Sequence, residues 1–124
     1  MTIAEVIYRV DALKPNIYTT EDKVRWLSTL DKRVKAKIIN AHENQNPVYF
    51  YGYESDVDQD TILLVPPPYD EMYLRWLEAQ IDYHNSEDDR YNNAIMLFNN
   101  AYDDFKRHYT RTHMPVSKGD RFVF

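Results

Sequence analysis

The strongest constraint on this chain is a repeat of apolar side chains near its C-terminal end: Tyr91, Ala94, Ile95, Phe98, Ala101, Tyr102, Phe105 and Tyr109. Steps of three and four residues put such a set on one face of a helix. The spacing therefore predicts a helix running to about Thr112, with Glu87-Asp88-Asp89 as an acidic first turn at the positive end of the helix dipole. A stripe of this period is far more often core than ligand pocket, so it needs a partner. The partner lies just upstream: Met72, Tyr73, Trp76, Leu77, Gln80 and Ile81 predict a helix from about Tyr69 to His84. Asn85-Ser86 reads as the stop of one helix and the cap of the next, and so short a joint makes the two an antiparallel hairpin.

Two further helices precede this hairpin. Thr2 and Glu5 have capping-box spacing ahead of Ile3, Val6, Ile7 and Val10, and Pro15 stops continuation, which predicts a helix over residues 2–13. A second helix starts near Thr20, carries Val24, Leu27, Leu30, Val34 and Ile38 on one face, and runs to about His42. Lys32, Arg33, Lys35 and Lys37 crowd its second half, where cations suit the negative end of the dipole. Between the helical pairs the period changes. Residues 48–53 and 61–65 are rich in β-branched and aromatic side chains around a polar stretch, which predicts a β-hairpin or an extended arm over residues 48–65. Pro66-Pro67-Pro68 ends any strand pairing, because proline has no N–H to donate. The expected architecture is mainly α, a single domain over residues 1–124 built as a small antiparallel bundle of about four helices with an arm insertion and a C-terminal tail at 115–124. Leu27, Leu30, Trp76, Ile81, Ile95, Phe98 and Phe105 are the expected core.

The 124 residues suffice for one hydrophobic core and not for two. With no Cys there is no disulfide framework and no thiolate metal site, and with 2 Gly there is no glycine-rich phosphate loop. No apolar run is long enough to suggest a secretory leader or a membrane span, so the expected location is cytoplasmic. Charge is unevenly spread behind a net value of −5. Residues 1–41 carry 8 basic and 5 acidic side chains, residues 42–104 carry 2 and 14, and residues 105–124 carry 5 and 1. An acidic middle between basic ends can match copies of the chain head to tail.

Candidate chemistry is thin. His84 beside Glu87-Asp88-Asp89, and Asp104 with His108, could be imagined around a divalent metal, but neither spacing is diagnostic. Asp56, Asp58 and Asp60 begin like a calcium loop, yet Thr61 stands where glycine is needed and Pro67 where the bidentate glutamate belongs. No nucleophile elbow is present, and Glu71 and Glu78 fall on the wet face of their helix. The expectation is a protein without catalytic residues, metal or cofactor. Lys106-Arg107-His108-Tyr109-Thr110-Arg111 interleaves cations with an aromatic, as a nucleic-acid surface would, although the acidic middle argues against a broad one.

The unusual entries are aromatic: 11 Tyr, 5 Phe and 2 Trp, more than a core of this size requires. Tyr is favoured at half-wet protein contacts. Tyr8, Tyr18, Tyr49, Tyr51, Tyr53, Tyr69 and Tyr83 lie outside the long helical stripe and are the interface candidates, joined by Arg121, Phe122 and Phe124 of the tail. The alternation Arg121-Phe122-Val123-Phe124 would allow strand addition to a neighbour's exposed edge.

Several phrases then look familiar: Lys14-Pro15-Asn16, Glu21-Asp22-Lys23-Val24-Arg25-Trp26-Leu27, Leu64-Val65-Pro66-Pro67-Pro68-Tyr69-Asp70-Glu71-Met72-Tyr73, Glu78-Ala79-Gln80-Ile81-Asp82, Arg90-Tyr91-Asn92-Asn93, Phe98-Asn99-Asn100-Ala101-Tyr102 and Thr112-His113-Met114-Pro115. Together they resemble head-tail connector (adaptor) proteins of phages and prophages of Gram-positive bacteria. The resemblance implies a helical subunit that forms or joins a ring below the portal, touches portal and tail-side virion proteins, carries no catalytic residues, and works in the host cytoplasm during assembly and then in the virion. DNA would meet it only by passage. In such a ring Asp56, Asp58 and Asp60 would line the lumen and repel phosphate. A phage nucleic-acid-binding or regulatory module is the alternative.

Overall fold

The computed structural model describes residues 1–42 and 50–113. Four α-helices form a bundle: α1 (Ile3–Leu13), α2 (Thr20–Val34), α3 (Glu71–His84) and α4 (Asp88–Thr112). Local chemistry explains each start. Thr2 and Glu5 close a reciprocal capping box on α1, and Thr19 with Asp22 closes a second on α2. The stop of α2 differs from the expected helix to His42. After Val34 the chain widens into a π turn, Lys35–Ile39, and then a 3-10 turn, Asn40–His42. Ile38 stays fully buried across that widening, so the turn keeps the apolar face of α2 on the core.

The joint between α3 and α4 is a Schellman stop. Glu87 N–H donates to the Asp82 carbonyl and Ser86 N–H to that of Tyr83, with Ser86 in the left-handed region at φ 60°. Ser86 therefore closes α3, while Glu87, without a side-chain cap bond, occupies the N-cap of α4. The antiparallel hairpin follows, and among the described residues it is the most extensive helix–helix contact.

α3 is the centre of the bundle. Met72, Tyr73, Leu74, Trp76, Leu77, Ala79 and Ile81 are all buried, while Glu71, Arg75, Glu78 and Asp82, at steps of four and three residues, confine the charge of this helix to one narrow stripe. It packs on α1, α2 and α4. α4 buries only Ala94, Phe98 and Phe105, and Ile95, expected in the core, is half-buried against it. The other six expected core residues are interior.

The β-hairpin is not formed among the described residues. Residues 50–65 make one isolated antiparallel bridge, Ile62 with Thr2, and otherwise follow an irregular path as an extended arm. The reason lies in where the hydrogen bonds go. Ile3 N–H donates to the Thr61 carbonyl at 3.1 Å and Ala4 N–H to that of Gln59 at 2.9 Å, so the arm caps donors that the first turn of α1 leaves free. Two consecutive turns, closed by Val57 N–H on Glu54 and Thr61 N–H on Asp58, consume the rest of the polar stretch.

Phe98 is 1% exposed and lies against the Trp76 ring at 4.9 Å, whereas its neighbour Leu97 is 45% exposed. Phe98→Ala should cost about 3–5 kcal/mol. Leu97→Ala should stay within about 0.5 kcal/mol, as for ordinary surface positions. Urea denaturation of the two variants measures the contrast, and equal losses would contradict this orientation of α4.

Candidate functional site

Beyond its backbone bonds to α1, the arm is held to the bundle by a buried carboxylate on α2. Asp31 lies on the buried face of α2, in register with Leu27 and Val34, and is fully buried. Its Oδ1 accepts the Tyr73 hydroxyl at 2.6 Å from α3. Its Oδ2 accepts the Tyr53 hydroxyl and, at 3.2 Å, Leu64 N–H, both from the arm. Tyr73 in turn accepts Val65 N–H at 2.8 Å. All of the Asp31 donors are neutral. Burial pushes the Asp31 carboxyl above the usual carboxylate range, and the hydrogen bonds from Tyr53, Tyr73 and Leu64 pull the other way. Burial, and then the Asp31 charge, drive both phenols far above their ordinary range.

A second contact presses the arm onto α2. Tyr53 N–H donates to Ser28 Oγ at 2.9 Å. Beside it Gly52 has φ 92°, and a Cβ there would lie 2.1 Å from Ser28 Oγ and 2.5 Å from Lys32 Cε. Glycine is required on both counts. The arm and the α2 face thereby enclose a cleft of about 280 Å³ lined by Arg25, Lys32, Tyr51 and Glu54 among others.

Two ion pairs reaching into the interior fix the connection between α1 and α2. Lys14 Nζ binds both oxygens of the buried Asp82 at 2.7 and 2.9 Å. The buried Lys23 ammonium reaches Asp11 at 2.8 Å and the Tyr18 carbonyl at 2.9 Å. The buried Asp82 and Lys23 thus each have a counter-ion, which Asp31 lacks.

The residues singled out from sequence divide into groups. Asp56, Asp58 and Asp60 are all exposed on the double turn of the arm, and Asp58 is partly occupied in accepting Asp60 N–H at 2.9 Å. Tyr51 is 79% exposed. Tyr53 is not a surface residue of that kind: it is half-buried, with its hydroxyl committed to Asp31, because the arm turns it inward. Tyr49, Arg121, Phe122 and Phe124 lie outside the described residues. Tyr18 and Tyr69 are half-buried against the core, while Tyr8 and Tyr83 are exposed.

Tyr83 belongs to a continuous aromatic ledge where α2, α3 and α4 meet. Trp26 stacks on His84 at 5.0 Å, Tyr18 lies edge-on to Trp26 at 5.5 Å, and Tyr83 bridges His84 at 5.2 Å to Tyr91 at 5.7 Å. His84 Nδ1 faces the Gln80 carbonyl at 2.8 Å, and His108 stacks on Tyr69 at 4.6 Å. Asp104 pairs with Arg107 rather than His108. Among the described residues no group of three or more His, Asp or Glu side chains could hold a metal ion. Likewise, no described helix is long and apolar enough to cross a membrane.

Asp31 carries a pH signature with a definite sign. Its folded-state affinity for a proton exceeds that of the unfolded chain, so its contribution is fully present below the ordinary carboxylate pKa and is lost as pH rises through the raised value. The stability of the wild type relative to Asp31→Asn, which has no such proton to release, should therefore fall as pH increases from the ordinary carboxylate range. Chemical denaturation of both proteins across pH reads this difference, and a rise with pH would refute the assignment. Comparison with protein-family models, curated proteins and solved structures gives no match, so the function is argued from the chain's own residues.

Proposed function

We propose that this chain is a structural subunit of a phage virion, a head-tail connector that forms or joins a ring below the portal. The observation that carries this reading is the aromatic ledge of Tyr18, Trp26, Tyr83, His84 and Tyr91, continuous in space and with Tyr83 62% exposed. Rings of this kind are the side chains that dominate protein contacts, since they bury much area at little cost in conformational entropy. The resemblance of the sequence phrases to connector proteins supports the same reading. Portal and tail-side virion proteins are the proposed neighbours, in the host cytoplasm during assembly and afterwards in the virion.

Within the ring, the exposed carboxylates of Asp56, Asp58 and Asp60 face the passage and repel the phosphates of DNA moving through it. The tail acts as a joint to a neighbour.

Three variants test the proposal by light scattering, alone and with the portal protein encoded nearby. Deleting residues 117–124 should leave the melting temperature unchanged and weaken assembly. Tyr83→Ser should do the same. Replacing Asp56, Asp58 and Asp60 with Asn should leave assembly intact and increase DNA retention at low salt. A wild-type protein that stays small with or without the portal, and binds DNA with steep salt dependence, would instead favour the nucleic-acid-binding or regulatory module.

A further inference from the structure

The end of α2 is basic beyond what its helix dipole uses. Lys32 and Arg33 lie in the last turn of α2, but Lys35 and Lys37 sit on the π turn that follows it. None of the four forms an ion pair with an acidic side chain among the described residues. At spacings of three and four residues these like charges repel one another. Lys32, Arg33 and Lys35, with Ala36, Asn40 and Phe50, line a hollow of about 240 Å³ that has no acid in its described wall. π turns recur at functional positions because the extra residue re-aims side chains, and here the widened turn buries Ile38 while Ala36 and Lys37 stay exposed.

The same chain carries unpaired charge of the opposite sign at a distance. Asp88 and Asp89 open α4, both exposed, and neither forms an ion pair among the described residues; their neighbour Glu87 takes Arg90. Arg33 lies 5.8 Å over the Trp76 ring, and Trp76 packs on Phe98. The basic hollow is thus level with Phe98, ten residues along α4 from Asp88, which is about 15 Å of helix. Within one subunit that gap separates the two charge clusters by more than a Debye length at physiological salt, so neither offsets the other. Between copies they can meet.

We propose that the basic hollow formed by Lys32, Arg33 and Lys35 receives the acidic first turn of α4, Asp88 and Asp89, from a second copy of this chain. The two surfaces differ, so the contact is heterologous: each subunit offers its hollow to one neighbour and its α4 start to the other, the arrangement that closes into a ring where the rotation between subunits divides a full turn. The inference rests on the connector reading and adds a second joint, built from charge, to the one that reading gives the tail.

Charge exchange tests it, with assembly followed by sedimentation across protein concentration and folding by circular dichroism. Lys32→Glu with Lys35→Glu should raise the concentration needed for assembly at least tenfold, as should Asp88→Lys with Asp89→Lys. Combining all four substitutions should restore assembly. Because lysine opposes the dipole at the start of α4, Asp88→Asn with Asp89→Asn provides a milder pair, expected to weaken assembly in the same direction. High salt should weaken the wild-type contact. A wild type that assembles while every charge variant assembles equally well overturns this joint and leaves the connector reading standing. A wild type that remains a monomer throughout overturns the joint, and one that also fails to join the portal overturns both. Unchanged assembly with lost DNA retention in the lysine variants would make the hollow a phosphate site and overturn the proposal.

Discussion

A carboxylate withdrawn from water must find donors, and in this fold the search for them organises the tertiary structure. Asp31 takes one donor from α3 and two from the arm, so a single side chain on α2 fixes the relative positions of three segments. Replacing water around a charge by neutral donors is costly, and the residual cost appears as a raised proton affinity. The arrangement is also specific. An apolar residue at this position could pack against Tyr73 in several ways, but three donors arriving from different directions fit one carboxylate orientation.

The rest of the interior is arranged around α3. Its wide apolar face leaves little room for polar groups, and the buried ones it carries are matched: Trp76 Nε1–H donates to the Trp26 carbonyl at 2.8 Å, and Asp82 receives Lys14. These bonds tie α3 to α2 and to the connection after α1. Burial supplies the driving force, while the polar contacts select the register in which helices slide together. The surface features then inherit defined positions, since the aromatic ledge and the basic hollow both sit where two or more of these fixed elements meet.

Much of this was legible in the residues because helices announce themselves by period. The Thr2–Glu5 capping box, the stripe of α4 and the hairpin of α3 and α4 follow from spacing alone. What escaped was decided by tertiary contacts. Residues 50–65 have strand-like composition, yet their backbone is claimed by α1 and Asp31, which local propensity does not register. Tyr53 looked like its neighbour Tyr51 until the arm's path turned it inward. Asp31 did leave a trace: it shares the face of Val24, Leu27 and Val34, and an acid on an apolar stripe announces a buried partner. The π turn left none, because Lys35–Ile39 continues the helical composition before it.

The partners of Asp31 stand 22, 33 and 42 residues away along the chain. Each of these contacts closes a long loop, so the carboxylate is enclosed only where three distant segments come together. On α2 without the arm and α3, Asp31 would stand open to water, and its carboxylate would interrupt an apolar face otherwise free to associate with other chains. Only the arrival of the arm and α3 removes the water. The same carboxylate thus opposes association of a bare α2 face and, once enclosed, commits the subunit to one arrangement of α2, α3 and the arm.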